Sequence, residues 1–71
     1  MKISENVKIF RTKSGFSQQE LAKRVGVTQQ MIFAIEKGVK VPSVAVLIAI
    51  SDELHTTPND ILGYTKKEVA E

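Results

Sequence analysis

Two adjacent glutamines, Gln29 and Gln30, have the most specific binding chemistry in this sequence. A glutamine amide carries a hydrogen-bond donor and an acceptor in one plane, and this pair matches the N6 and N7 edge of adenine in the DNA major groove. Thr28 precedes them, and its hydroxyl suits the first position of a helix, where free backbone N–H groups attract phosphate. The alternative is that both glutamines are ordinary solvent-facing residues of a helix.

A short helix, a turn and a second short helix are predicted around these side chains, over residues 17–37. Ser17 followed by Glu20 forms a capping box, so the first of the two helices is expected to begin at about Gln18. Gly26 is expected to end it, because the left-handed conformation common after a helix costs glycine little. Its apolar residues recur at helical spacing and predict one inward stripe: Leu21, Ala22 and Val25.

The second of these helices is predicted to begin after Thr28 and to run for about ten residues. Ile32 and Ile35 fall on its inner face. Its outer face provides the candidates for contact with bases, which are Gln29, Gln30, Phe33 and Ala34. The two apolar members, Phe33 and Ala34, suit contact with a thymine methyl group. Phe33 equally suits a protein partner or a neighbouring side chain, so its role stays open at this point.

Residues 18–37 resemble the helix-turn-helix of the lambdoid phage repressor and Cro family, also called the XRE family. The resemblance lies in residues at the family's spacing: Ala22 at the helix contact, Gly26 in the turn, and Val27, Ile32 and Ile35 in the core. The run from Thr28 to Gln30 is also similar to the start of one phage recognition helix. The resemblance extends over residues 3–63. It implies an all-α, compact five-helix repressor-like domain with the helix-turn-helix at helices 2 and 3.

The resemblance implies further roles, residue by residue. Contacts with the DNA backbone are expected at Ser17, Gln18, Thr28, Lys37 and Lys40. A structural ion pair is expected between Arg11 and Glu36, because family members carry an arginine and a glutamate at these places. A dimer interface is expected on helix five and the end of helix four, with the residues Leu54, Thr57, Pro58, Ile61 and Tyr64.

The charge is unevenly distributed, although the net charge is only +2. Residues 1–40 hold eight basic and three acidic residues, whereas residues 41–71 hold two basic and five acidic residues. A basic half that contains the helix-turn-helix is typical of a protein that binds a polyanion. The alternative is a solvated lysine-rich face, which is common in small proteins.

The remaining segments predict three more helices. The first is expected over residues 3–14, capped by Ser4 or a neighbour, with Ile3, Val7 and Phe10 facing inward. The fourth is expected from a Pro42-Ser43 cap to about Leu54. Its seven-residue apolar run, 44–50, fits the core through Val44, Leu47, Ile48 and Ile50. It leaves Ala45, Val46 and Ala49 either as a partner surface or as an innocuous exterior.

A fifth, short helix is predicted after Thr57, with a capping box to Asp60 and proline at its first position. Gly63 is expected to end it. Residues 1–64 are therefore predicted to form one domain, and residues 65–71 a charged, frayed tail. His55 is expected at the end of helix four, at a place where family members often have glycine.

The same inventory disfavours several functions. There is no cysteine and only one histidine, so neither a disulfide framework nor a metal cluster is expected, and no cofactor is predicted. No nucleophile and base set or phosphate-binding glycine loop is present, so the chain is not expected to be an enzyme or to take a small-molecule ligand. Without a hydrophobic run of about 18 residues or a signal peptide, a cytoplasmic protein without membrane contact is expected.

The predicted function is sequence-specific binding of a double-stranded DNA operator by a homodimer that regulates transcription, as a repressor. One helix-turn-helix contacts only a few base pairs, so useful affinity requires two half-sites and a two-fold dimer. The alternative is a protein-binding module, such as an antitoxin or an adaptor, that uses the apolar surface of helix four. The glutamine edge with its basic flanks favours DNA.

Overall fold

Five α-helices make up the regular structure of residues 2–63, the part of the chain that the computed structural model describes. They are α1 (Ile3–Lys13), α2 (Gln18–Val25), α3 (Gln29–Glu36), α4 (Val44–Glu53) and α5 (Pro58–Leu62). None of the helices in this part of the chain is long and apolar enough to cross a membrane. The all-α, five-helix architecture predicted from the sequence is confirmed.

One apolar core joins all five helices. α2 packs against α3 and α4, and α1 packs against α3 and α5. Every helix contributes at least one fully buried side chain, and the buried apolar set is Val7, Leu21, Ala22, Ile32, Ile35, Leu47, Ile50, Leu54 and Ile61. The inner faces predicted for the two helices of the motif are therefore confirmed. α3 is held between α1 and α2, and its opposite face remains at the surface.

Side-chain hydroxyls cap four of the five helices. Ser17, Thr28, Ser43 and Thr57 each accept a hydrogen bond from the backbone N–H three residues later. The capping box is complete in α2, but in α5 the Asp60 carboxylate accepts from the Thr56 hydroxyl instead of returning to the cap. These caps satisfy N–H groups that have no partner within the helix.

α1 starts differently from the prediction, since Ser4 lies inside the helix and does not cap it. The residue before the helix is Lys2, and its side chain makes no capping bond. The Lys2 backbone N–H instead donates to the Leu62 carbonyl at 3.1 Å, and its own carbonyl accepts from the Asn6 N–H. The start of α1 is thus fixed by a tertiary contact with α5, which no local sequence signal reveals.

The core face of α4 also differs from the prediction. The sequence places Val44 and Ile48 in the core, but in the structure they are 74% and 46% exposed. Leu47, Ile50 and Ser51 face inward, and the Ser51 hydroxyl donates to the Leu47 carbonyl at 2.8 Å. A serine that satisfies its hydroxyl within its own helix can occupy a buried position. An uninterrupted apolar run carries no periodicity, so it could not indicate which face is buried.

Left-handed residues follow helices at the predicted places, among them Gly26, His55 and Gly63. Gly26 has a φ of 85°, and its N–H donates to the Ala22 carbonyl, which closes α2. His55, just after α4, has a φ of 53° and is the one non-glycine residue with positive φ among residues 2–63. Most side chains are strained in this region, so the sharp turn after α4 is maintained at some conformational cost.

Candidate nucleic-acid interface

The exposed edge of α3 presents a row of amide and aromatic side chains. Gln29 and Gln30 stand at the first two positions of the helix and are exposed, and Phe33 follows one turn later at 50% exposure. Together with Gln18 of α2 they line a shallow groove, which we call the amide groove. Residues from the starts of two helices thus converge at one surface, where free backbone N–H groups also favour anions.

The Thr28 cap fixes where this edge begins. Its hydroxyl oxygen accepts from the Met31 N–H at 3.1 Å, and its own hydroxyl hydrogen remains available to an outside acceptor. Because the cap sets the first turn of α3, the backbone positions of Gln29 and Gln30 are determined by it.

The start of α2 is closed by the capping box. The Glu20 N–H donates to the Ser17 hydroxyl at 3.0 Å, and the Ser17 N–H donates to the Glu20 carboxylate at 2.9 Å. Hydrogen bonds from the backbone and side chain of Ser17, followed by the charge of Arg24, hold the pKa of Glu20 below its usual range. The Ser17 N–H and hydroxyl oxygen are therefore engaged within α2, whereas its hydroxyl hydrogen, like that of Thr28, and the next backbone N–H groups are left for a phosphate.

A buried polar network ties the edge to the rest of the domain. The Arg11 guanidinium donates to both carboxylate oxygens of Glu36, at 2.6 and 3.1 Å, and also to the Phe16 carbonyl at 2.8 Å. The Gln18 amide donates to the same carboxylate at 3.0 Å. The arginine and glutamate side chains are only 11% and 5% exposed. The structure brings together the predicted Arg11–Glu36 pair and adds Gln18 to it.

A second groove lies on the other side of Phe33, between α1 and α3. We call it the basic groove, and its lining residues are Lys8, Arg11, Gln18, Phe33, Glu36 and Lys37. The Lys37 ammonium lies 5.6 Å from the centre of the Phe33 ring, within the range of a cation–π interaction. Gln18 and Phe33 line both grooves, so the amide groove and the basic groove are adjacent.

Two predicted contact residues occupy less central positions. Lys40 is exposed but lines a different, mostly apolar groove with Ile3 and Ser4. Ala34 is half-buried, and its carbonyl accepts from the N–H groups of Val39 and Lys40, so it anchors the segment after α3. Neither residue lines the amide groove or the basic groove.

The residues predicted for a dimer interface fall into three groups. Leu54 and Ile61 are 4% and 0% exposed, so they are core residues of the single chain and offer no free surface to a partner. Thr57 is exposed and Pro58 is half-buried at the start of α5. Tyr64 lies outside the described residues, as does the predicted tail over 65–71. The sequence could not separate the first group, because core and interface residues are both apolar.

Two features of the site, Lys8 and the network role of Gln18, are absent from the sequence-based prediction. A signal for Lys8 was present: it precedes Arg11 by three residues, so the two lie on one face of α1. The bond from Gln18 to Glu36 joins residues 18 positions apart and has no local signal.

The family model for HTH_3, a helix-turn-helix family, matches residues 7–61. The chain belongs to this family. Membership places the chain among HTH-type transcriptional regulators and not among enzymes, as the sequence predicted. A Bacillus subtilis protein named as the HTH-type transcriptional regulator YgzD is 37% identical over 59 residues, which cover 83% of this chain and 89% of that protein.

Two solved structures of proteins bound to DNA share the fold. SinR, the master regulator for biofilm formation from Bacillus subtilis, was crystallised with DNA, and it matches with a TM-score of 0.80 at 30% identity. The match covers 84% of this chain and 97% of that one. The P22 c2 repressor in complex with a synthetic operator matches with a TM-score of 0.82 at 28% identity, over 86% and 92% of the two chains.

Proposed function

We propose that this helix-turn-helix regulator binds a two-fold-symmetric DNA operator as a homodimer and represses transcription by occupying it. α3 enters the major groove, where Gln29 and Gln30 contact base edges and Phe33 contacts a thymine methyl group. Thr28, Lys37 and the N–H groups at the start of α2 contact the flanking phosphates. Lys40 contacts a phosphate further along the strand, from the segment after α3.

The observation that carries this proposal is the amide groove itself. Three amide side chains from the starts of two helices converge at an exposed surface, and the exposed aromatic ring of Phe33, one turn further along α3, completes the lining. The Gln18 amide is anchored by a hydrogen bond to Glu36, which is part of the buried ion pair with Arg11. A side chain that contacts only solvent does not need such an anchor. SinR and the P22 c2 repressor, which share the fold, bind DNA in their solved complexes.

The size of α3 supports the requirement for two copies. A helix of eight residues is about 12 Å long, whereas two half-sites lie about 34 Å apart, so one chain contacts one half-site. We assign the dimer contact to the surface at the start of α5, around Thr57 and Pro58. Repression follows the example of the P22 c2 protein, which is named a repressor.

Selection of bound sequences from a random duplex library tests the proposal. Binding of the selected duplex is then titrated at two salt concentrations, and the stoichiometry is measured by analytical ultracentrifugation. We expect a two-fold-symmetric consensus, two chains per duplex and a steep loss of affinity with salt. If no sequence were enriched above the starting library, sequence-specific binding would be wrong.

A protein-binding role is the second candidate, and the outer face of α4 favours it. Val44 and Ile48 are spaced by one turn and exposed, and Val41, three residues before α4, is 74% exposed. Exposed apolar residues clustered in this way are typical of protein contact surfaces. The double variant Val44→Ser with Ile48→Ser distinguishes the uses of this face. If both dimerisation and DNA binding are unchanged, the face is free for another protein; if dimerisation weakens, it is part of the dimer contact.

A further inference from the structure

We propose that the basic groove between α1 and α3 is a phosphate-binding site, in which Lys8 of α1 acts together with Lys37, the residue that follows α3. This inference rests on the proposed DNA binding and extends it to a helix outside the helix-turn-helix. It assigns to Lys8 a contact with the DNA backbone beside the amide groove.

The geometry of the groove places two lysines at one opening. Lys8 lies on α1 and Lys37 directly follows the last residue of α3, and both line the groove and are exposed. The Phe33 ring forms one wall, with the Lys37 ammonium over its face at 5.6 Å. This interaction restricts a flexible side chain close to the groove, so the ammonium gives up less conformational entropy when it binds an anion.

The charges in the groove leave it positive. Glu36 is the acid in the lining, and both of its oxygens accept hydrogen bonds from Arg11, whose charge balances it. Within residues 2–63 the ion pairs are Arg11–Glu36 and Arg24–Glu53, so neither lysine is paired with a carboxylate there. The groove therefore presents two ammonium groups without a carboxylate partner in the described part of the chain, next to the Arg11–Glu36 pair, whose charges cancel.

The position of the groove identifies the anion as a DNA phosphate. The basic groove shares Gln18 and Phe33 with the amide groove, so it lies next to the base-contacting surface. A duplex that places base edges against Gln29 and Gln30 brings a sugar-phosphate strand to the flank of α3. Two lysines at a shallow, open site suit a backbone phosphate, because a lysine acts as a point charge that needs no fixed orientation.

The test compares two lysines of the same helix. Lys13 also lies on α1 and is exposed, but it does not line the groove and instead lies 6.0 Å from the Phe10 ring centre. Lys8→Ala, Lys8→Arg and Lys13→Ala are titrated with a duplex of random sequence, about two helical turns long, and with the selected duplex, over a range of salt concentrations around 0.1 M. Thermal unfolding by circular dichroism checks that each variant is folded, which is expected because alanine and arginine are good helix formers.

The inference predicts that Lys8→Ala lowers the slope of log affinity against log salt by about 0.9 for each chain bound. At about 0.1 M salt this corresponds to roughly eightfold weaker binding for each ammonium removed. Lys8→Arg keeps the wild-type slope, and so does Lys13→Ala. If the wild-type chain binds DNA and the salt slope of Lys8→Ala equals that of Lys13→Ala, the groove is not a phosphate site. The proposed function then stands without it. If the wild-type chain binds neither duplex, both proposals are wrong.

Discussion

At the scale of single residues, an amide distinguishes bases only when its backbone is held still. Gln29 and Gln30 receive this support from the Thr28 cap, which sets the first turn of α3, and from Ile32 and Ile35, which anchor the inner face of that helix. Their own side chains remain exposed. The scaffold thus fixes the start of each side chain and leaves its amide free to bind.

Replacement of either glutamine tests the base contacts. Gln29→Ala or Gln30→Ala is expected to cost about 1–3 kcal/mol on the selected duplex and to relax the preference at one position of each half-site. Repeating the library selection with each variant measures this. Gln19→Ala, an exposed glutamine of α2 outside the amide groove, is the matched control and should leave the consensus unchanged. If a glutamine variant lost as much affinity for random DNA as for the selected duplex, that glutamine would not contact bases.

Lys40 is proposed to contact a phosphate and not a base, so its replacement is expected to have a different effect. Lys40→Ala should weaken binding to all duplexes alike and lower the salt slope by about one, because a phosphate contact carries no sequence information. Titration of the selected and random duplexes at several salt concentrations measures both effects. Since Lys40 lies outside both grooves that flank Phe33, its effect should add to that of Lys8→Ala. An unchanged slope would remove Lys40 from the phosphate contacts.

At the scale of helices, the position of α3 depends on polar bonds as well as on the core. The Arg11–Glu36 pair joins α1 to α3, and Gln18 joins α2 to the same carboxylate. All three side chains are thus satisfied at the point where the three helices meet. This network holds α3 in register with the start of α2.

Removing one partner of this pair should be costly. Glu36→Ala leaves the Arg11 guanidinium buried without its carboxylate, so we expect a loss of about 3–5 kcal/mol in the free energy of unfolding. Glu53→Ala breaks the more exposed Arg24–Glu53 pair, whose closest atoms are 3.6 Å apart, and should cost about 1 kcal/mol or less. Urea denaturation of both variants makes the comparison. Similar losses in the two variants would show that the Arg11–Glu36 pair does not hold α3 in place.

The capping box of α2 makes a small contribution to stability that depends on pH. The pKa of Glu20 is lowered in the folded chain, so the folded state favours the carboxylate. This stabilisation is fully present above the ordinary glutamate pKa of 4.5 and is lost as the pH falls through the lower pKa of the folded chain. Denaturation of the wild type and of Glu20→Gln at about pH 7 and about pH 3 is the test. The variant should lose less stability between these pH values, and an identical loss would contradict the role of the capping box.

Local signals predicted most helix limits, and tertiary contacts explain the exceptions. Ser17 with Glu20, Gly26 and Thr28 each act within a few residues, so the limits of α2 and the start of α3 followed from the sequence. The start of α1 depends on the contact of Lys2 with Leu62, which is 60 residues away along the chain.

The site shows the same division between local and tertiary information. The exposed glutamines followed from helical periodicity, whereas the basic groove arises only because α1 packs against α3. The inner face of α4 could not be predicted either, because its apolar run carries no periodicity and Ser51 occupies a core position.

At the scale of the whole molecule, the two grooves lie in the part of the chain that carries the excess of basic residues. The motif lies in the basic half of the chain, and the two grooves adjoin along the exposed side of α3. The described domain measures 37 × 23 × 19 Å, and its two shorter dimensions are below the distance of about 34 Å between half-sites one helical turn apart. Two such domains can therefore lie side by side on one face of a duplex.

A 7-deazapurine scan of the selected duplex tests whether α3 distinguishes bases through its glutamines. Each substitution removes one N7 acceptor from the major groove and leaves the minor groove and the backbone unchanged. We expect binding to weaken about fivefold, the equivalent of about 1 kcal/mol for one hydrogen bond, at one or two purines in each half-site and at symmetric positions. The same positions should become insensitive in the Gln29→Ala or the Gln30→Ala variant. If no position responded, or if the response were unchanged in both variants, the claim that α3 distinguishes bases through its glutamines would be contradicted.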